Sequence, residues 1–389
     1  MKKIFLLITL FSLLFTSCGT APASNYTYQQ PENLDDGLAV GTLDEVGIDP
    51  ALIGQAVDRI REGKYNEVHS LLIYKDDKLV LEEYFVGHRF QWDAPYYHGR
   101  WVYWANNKPH EVMSVGKSFT SAVIGIAIEE GFIESVNQSI FDYLPQHQYL
   151  NTDGKDAITI EHLLTMTAGL AWAEWNTAYT DPNNSSFNLW INCDDQVACI
   201  LEAPLVKDPG THFNYSAGCM ILLGEIIKNA SGMNIEEFAA VYLHEPLGIN
   251  PPEISKFESG IVAADGNFAL TPREMTKFGI TYLNRGVWDG EQIIPAAWVD
   301  KSAIPYRNNV RIKIPGTDAG RNGYAYTWWI KEYRHNGQKI NLFYASGWGG
   351  QEIMIFPELN TIVVFTAGNY TTKTTAFRIL EKYILPAIE

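Results

Sequence analysis

No run of five basic residues occurs in this 389-residue chain, and its formal net charge is −16. A nucleic-acid surface needs a concentrated cationic face, so nucleic acid is excluded as a partner. Cysteine is scarce: Cys18, Cys193, Cys199 and Cys219 form no CxxC pair, and the nine histidines contain no HExxH. Neither a metal nor another cofactor is therefore expected. No apolar run is long enough to cross a hydrocarbon core of about 30 Å as a helix. No internal repeat is visible. With 46% hydrophobic and 19% charged residues, the composition is that of a chain with an ordinary buried core.

What is present begins at the N-terminus. Met1-Lys2-Lys3, the apolar stretch Ile4 to Phe15, and then Ser17-Cys18-Gly19 read as an export signal. The arrangement resembles a bacterial lipoprotein signal. That implies a leader over residues 1–18, lipidation of Cys18, and a cell-envelope protein that meets the membrane only through this anchor. An ordinary secretory peptide cut nearby is the alternative. Residues 19–42, rich in Pro, Ser, Thr, Asn and Gln, read as a linker. Of the remaining cysteines, Cys193 and Cys199 are nearest in sequence, and their pairing stays open.

Asp49-Pro50 opens an amphipathic helix with Ile53, Ala56, Val57 and Ile60 on its apolar side. Two apolar runs, 70–74 and 79–85, flank Asp76-Asp77 and predict a hairpin. Near the other end, 340–344, 352–356 and 361–365 read as strands, followed by a closing helix over about 372–384. Between roughly 118 and 282 the pattern is mostly helical. The expected domain is 43–389, with an α/β lobe from 43–117 and 283–389 and a helical lobe over 118–282.

The one Ser-x-x-Lys in the chain is Ser114-Val115-Gly116-Lys117, at the mouth of a helix that is apolar on nearly all sides. On a helix, positions i and i+3 stand about 60° apart and about 4.5 Å apart along the axis, so the two side chains meet. A serine hydroxyl attacks a carbonyl only when a neighbour takes its proton. A buried lysine is expected to serve, because burial disfavours its charged form. Two competing motifs fail. Gly116-Lys117-Ser118 ends like a phosphate-binding loop, but Glu111 stands where the first glycine belongs; a nucleophile elbow would need glycine at Val112. Further on, Tyr215 stands at the entrance of another apolar helix, where a phenol can share a proton with Lys117 and Ser114. Ala345-Ser346-Gly347-Trp348-Gly349-Gly350 lies between predicted strands, and its three glycines suit close approach of a backbone N–H to a developing oxyanion, a plain bulge or turn being the alternative.

Ser114-x-x-Lys117, Tyr215 and Ala345-Ser346-Gly347, with Ile158–Leu170 and Leu270–Met275, resemble the β-lactamase-related serine hydrolases from about residue 45 onward. That family includes class C β-lactamases, D-alanyl-D-alanine peptidases, esterases and hydrolases of aminohexanoate oligomers. The resemblance implies a fold with an antiparallel sheet flanked by helices and an inserted all-helical lobe. It also implies an acyl-enzyme on Ser114, proton shuttling by Lys117 and Tyr215, and an oxyanion hole from the N–H groups of Ser114 and Trp348. Ser346 and Gly347 would then contact substrate. Trp172 and Trp175, with Tyr179, Trp190, Trp328 and Trp329, are candidates for the walls of the pocket. Two positions depart from the family: Ala217 replaces the asparagine of Tyr-x-Asn, and Ala345 replaces the cation that leads the third motif. The expectation is a serine hydrolase acting on a small ester or amide. The alternatives are an inactive binding or sensor protein on the same fold, a β-lactamase, or a D-alanyl peptidase.

Overall fold

The computed structural model describes residues 24–389. The leader and Cys18 lie outside the described residues. Residues 24–42 form neither helix nor strand, as their composition predicts, yet they lie against the body. Tyr26 Oη donates to Glu83 (2.6 Å) and Tyr28 Oη to the carbonyl of Val80 (2.8 Å). Arg273, 3% exposed, donates to the Glu32 carbonyl, to Asp36 and to Glu82. The tyrosines and the buried guanidinium hold the described part of the linker as a strap.

The first helix, α1 (Pro50–Arg61), is capped by Asp49, whose side chain accepts from the N–H of Ala51 at 2.8 Å. Strands β1 (Val68–Lys75) and β2 (Lys78–Tyr84) are joined by Asp76 and Asp77, both at positive φ, as a tight hairpin requires. An excursion follows, β3 (Val86–Phe90) and β4 (His98–Tyr103). Then β5 (His110–Glu111) pairs with β6 (Ala269–Leu270), bracketing the helical lobe. That lobe contains α2 (Gly116–Glu129), α3 (Ile160–Leu164), α4 (Ser185–Ile191), α5 (Gln196–Glu202), α6 (Ala217–Ser231) and α7 (Ile235–Ala239). Next come α8 (Pro272–Leu283), the short pair β7 (Val287–Trp288) and β8 (Glu291–Gln292), and α9 (Ala296–Ser302). The chain closes with β9 (Ile312–Lys313), β10 (Arg321–Tyr324), β11 (Trp329–His335), β12 (Gln338–Gly347), β13 (Gln351–Phe356), β14 (Thr361–Ala367) and a helix from Ala376 to Ala387.

The main sheet has eight strands in the order β2-β1-β14-β13-β12-β11-β10-β9, antiparallel throughout. The first and last strands are neighbours, so both ends of the chain build one lobe, as expected. Successive β12 residues show the two faces: Phe343 packs toward Tyr282 of α8, and Tyr344 toward Phe377 of the closing helix. One boundary moves. Helix α8 was expected within the helical lobe, but Gly279 lets it pack closely on Ile353 and Ile362 of the sheet. The helical lobe therefore ends at β6.

His244, 2% exposed on the turn after α7, has no partner among the described residues for either ring nitrogen and packs near Phe119 of α2. Burial lowers its pKa to about 4. An unfolded histidine titrates near 6.5, so between these limits the unfolded chain binds a proton that the fold refuses. Stability should fall as pH drops through this window, by on the order of 3 kcal/mol from this residue. Urea unfolding at pH 7 and 4.5 should show a smaller acid loss in His244→Leu; an equal loss would refute the assignment.

Candidate active site

After β5 the chain turns sharply: Met113 adopts φ +50°, and Met113–Val115 form a single 3-10 turn before α2 begins at Gly116. A left-handed non-glycine conformation, here next to Ser114, is the kind of strain that functional turns retain. Ser114 thus sits on the turn and Lys117 in the first turn of α2. Lys117 Nζ lies 3.1 Å from Ser114 Oγ and donates to the carbonyl of Asp265 at 2.9 Å, with the Asp265 carboxylate at 4.0 Å. Asp265 reaches Lys117 because Gly266, at φ +121°, passes the Met113 carbonyl and Gly116 so closely that a Cβ on either glycine would overlap its neighbour.

Tyr215 approaches from the other side, two residues before α6, whose N-cap is Ser216. Its ring stacks on Trp175 with centroids 4.6 Å apart, and Lys117 Nζ stands 5.3 Å from the ring centre. Burial holds its pKa up and the Glu174 charge adds to this, against the lowering effect of the Lys117 charge. Lys117 differs from the expectation. Burial, the largest single effect, lowers its pKa, but Tyr215, Asp265 and Glu174 together raise it further. With both pKa values raised, the lysine rests as an ammonium and the tyrosine as a phenol.

Glu174 was not singled out from sequence. It is 3% exposed and accepts from Trp172 Nε1 (2.7 Å), the N–H of Ala217 (2.8 Å) and Tyr179 Oη (2.9 Å). The start of α6, where the family has an asparagine side chain, is thus engaged by a carboxylate from a distant loop. A lone Glu among tryptophans carries no motif, so only its spatial position marks it. Removing its charge in Glu174→Gln would disfavour the protonated forms of Lys117 and Tyr215. The rising limb of the pH–rate profile should move toward lower pH. An unmoved limb with a reduced rate would leave Glu174 only a structural role.

The cleft holds about 480 Å³ and is lined by Ser114, Glu174, Trp175, Tyr215, Trp329 and Trp348 among others. Strand β12 ends at Gly347, where a Cβ would come within 2.5 Å of the Val112 carbonyl oxygen. This passage, open only to glycine, brings the Gly347-Trp348 backbone beside the Met113–Val115 turn. Ser346 also lines the cleft, but its hydroxyl donates to Glu352 at 2.9 Å. Burial raises the Glu352 pKa far above the ordinary carboxyl value.

The structure therefore brings Ser114, Tyr215, Ser346, Gly347, Trp348 and Trp175 to one cleft, with Tyr179 and Trp329, and Lys117 lies buried beneath it against Ser114. Trp172 is a correction. It backs Glu174 and its ring lies against Gly218 of α6, so it supports the wall without lining it. Trp190 stacks on Phe257 at the surface, and Trp328 is wholly buried beside Tyr282 and Phe343.

An antiparallel sheet flanked by helices, an inserted helical lobe and a Ser-Lys pair at the mouth of α2 define a β-lactamase/penicillin-binding-protein-like fold. The chain belongs to the beta-lactamase family, whose profile matches residues 59–382. It is 24% identical over 266 residues to the 6-aminohexanoate-dimer hydrolase of Paenarthrobacter ureafaciens, a match covering 66% of this chain and 65% of that protein. Less than two thirds of that relative's length is therefore spanned. A family VIII carboxylesterase shares the fold with a TM-score of 0.62 at 16% identity, over 85% of this chain and 95% of that one. The penicillin-binding protein of Bacillus halodurans gives 0.59 at 18% identity, over 83% and 97%.

Proposed function

We propose that this chain is a serine hydrolase that cleaves an ester or linear amide through an acyl-enzyme on Ser114. The observation that carries the reading is the 3.1 Å contact of Lys117 Nζ with Ser114 Oγ beneath Tyr215. Attack requires the Ser114 proton to leave. It passes into the Lys117–Tyr215 pair once that pair has given up one proton. Oγ then bonds to the carbonyl carbon, and the oxyanion is held by the N–H groups of Ser114 and Trp348. The tetrahedral adduct collapses, and the departing alkoxide or amine takes the proton back. Water repeats the sequence on the acyl-enzyme and releases the acid.

Two features support esters and linear amides over β-lactams. Ala345 supplies no cation for a substrate carboxylate, and Trp175, Trp329 and Trp348 offer aromatic walls for apolar acyl or aryl groups. A panel of short p-nitrophenyl esters, a 6-aminohexanoate dimer, a D-alanyl dipeptide and nitrocefin tests this, with Ser114→Ala as the control. Loss of one charged contact should leave nitrocefin about 10–100-fold behind the best ester or linear amide. Nitrocefin turnover that matches or exceeds both would overturn the preference.

We also propose that the protein is exported and lipid-anchored at Cys18. The disulfide between Cys193 and Cys199 supports an oxidising compartment. Cys18→Ser should move the protein from the membrane fraction to the soluble fraction; unchanged fractionation would refute the anchor.

A further inference from the structure

Outside the cleft, the structure gathers four of the chain's nine histidines around one carboxylate. Glu67 stands just before β1, His88 lies on β3, and His98 begins β4. His88 Nδ1 is 2.6 Å from Glu67 Oε1, and His98 Nδ1 is 3.9 Å from the same oxygen. The two imidazoles are parallel, with centroids 4.5 Å apart. All three side chains are half-buried, and their ligand atoms lie within 4.8 Å of one another.

The surroundings orient these groups. His98 Nε2 donates to the carbonyl of Gly368 at 2.9 Å, which leaves its Nδ1 lone pair facing Glu67. A backbone carbonyl on the far nitrogen is how ligand histidines are commonly held. Glu67 Oε2 accepts the N–H of His88 at 3.0 Å and faces His69 Nε2 at 3.2 Å. Behind it, His110 Nδ1 donates to the Glu111 carbonyl at 3.1 Å, so its Nε2 accepts from His69 Nδ1 at 2.8 Å.

We propose that Glu67, His88 and His98 bind one divalent transition ion of the zinc type. Two imidazole nitrogens and one carboxylate oxygen suit such a borderline ion at bond lengths of about 2.0–2.2 Å, once the rings tilt toward each other. Oxygen-preferring ions such as Mg²⁺ or Ca²⁺ suit the set poorly. The absence of a metal signature in the sequence is explained, because the ligands come from three separate segments: the residue before β1, the middle of β3 and the start of β4. Between His88 and His98 the hairpin carries Phe90 and Tyr97. Tyr97 packs on Trp348 (4.7 Å between centroids) and Phe90 on Tyr370 (4.9 Å), both in the wall of the cleft. The ion would rivet this hairpin to the sheet and hold that wall.

The test uses tag-free protein stripped with a chelator and titrated with Co²⁺ and Zn²⁺. One ion per chain is expected, with a visible Co²⁺ spectrum of a low-coordinate nitrogen–oxygen site and a Zn²⁺-dependent rise in thermal midpoint. His88→Gln and His98→Ala should each weaken binding by more than about 100-fold and lose that rise, whereas His147→Ala should retain both. The metal-free midpoints of the variants, compared with that of the stripped wild type, separate lost binding from lost folding. Absence of stoichiometric Co²⁺ binding by the wild type overturns the proposal, as does unchanged affinity in both ligand variants.

Discussion

Ser114→Ala is expected to lower hydrolytic turnover at least about 10⁴-fold while leaving the fold intact. The substitution removes one oxygen at a partly exposed turn. Lys117 keeps its hydrogen bond to the Asp265 carbonyl, and the buried contacts of α2 are untouched. The loss should therefore appear in the rate of acylation and not in stability. A fluorophosphonate should add one phosphonyl group to the wild type, seen by intact-protein mass, and none to the variant. Unlabelled wild-type protein, or turnover that survives the substitution, would refute Ser114 as the nucleophile. Residual activity far below wild type is consistent with binding and the oxyanion site acting alone.

Lys117→Met should lower turnover by about 10³-fold or more, and unlike Ser114→Ala it should also destabilise the fold. Methionine fills most of the space but removes the cation that faces Asp265, Glu174 and Tyr215. Two acidic groups whose pKa values burial already raises then lose their main counter-charge. Leaving buried charge without its partner costs about 3–5 kcal/mol near neutral pH. Both carboxyls have folded pKa values above their unfolded ones, so the fold favours their protonated forms. Their contribution to stability is complete at low pH and is lost as pH rises through the folded values. The stability gap between Lys117→Met and wild type should therefore narrow as pH falls toward 4. Adding Glu174→Gln should recover part of the loss at pH 7. A gap that is constant with pH would show that packing, and not the charge balance, explains the variant.

Much of this site was legible in advance because its key pair is local. Ser114 and Lys117 are three residues apart at a helix start, and helical geometry alone brings them together. Tyr215 and the Gly347-Trp348 segment could be marked because an entrance to an apolar helix and glycines in a strand are local anomalies. Trp172 was misplaced because tryptophan frequency cannot distinguish a wall from the support behind it. Its indole N–H turns away to Glu174. Glu174 and Asp265 carried no local signal at all, and together with Tyr215 they reversed the direction of the Lys117 pKa. Burial could be inferred from an apolar helix, but the charges that share the burial come from loops 57 and 148 residues from Lys117 in the chain.

The sequence by itself determined the meeting of Ser114 with Lys117 and the sheet built from both chain ends, since these follow from helical spacing and strand alternation. The tertiary structure alone decided which charges surround the pair, the aromatic residues that face the cleft, and the meeting of Glu67, His88 and His98. Charge interactions and side-chain direction depend on distance through space, and that distance is set only once the lobes and the β3–β4 hairpin have packed.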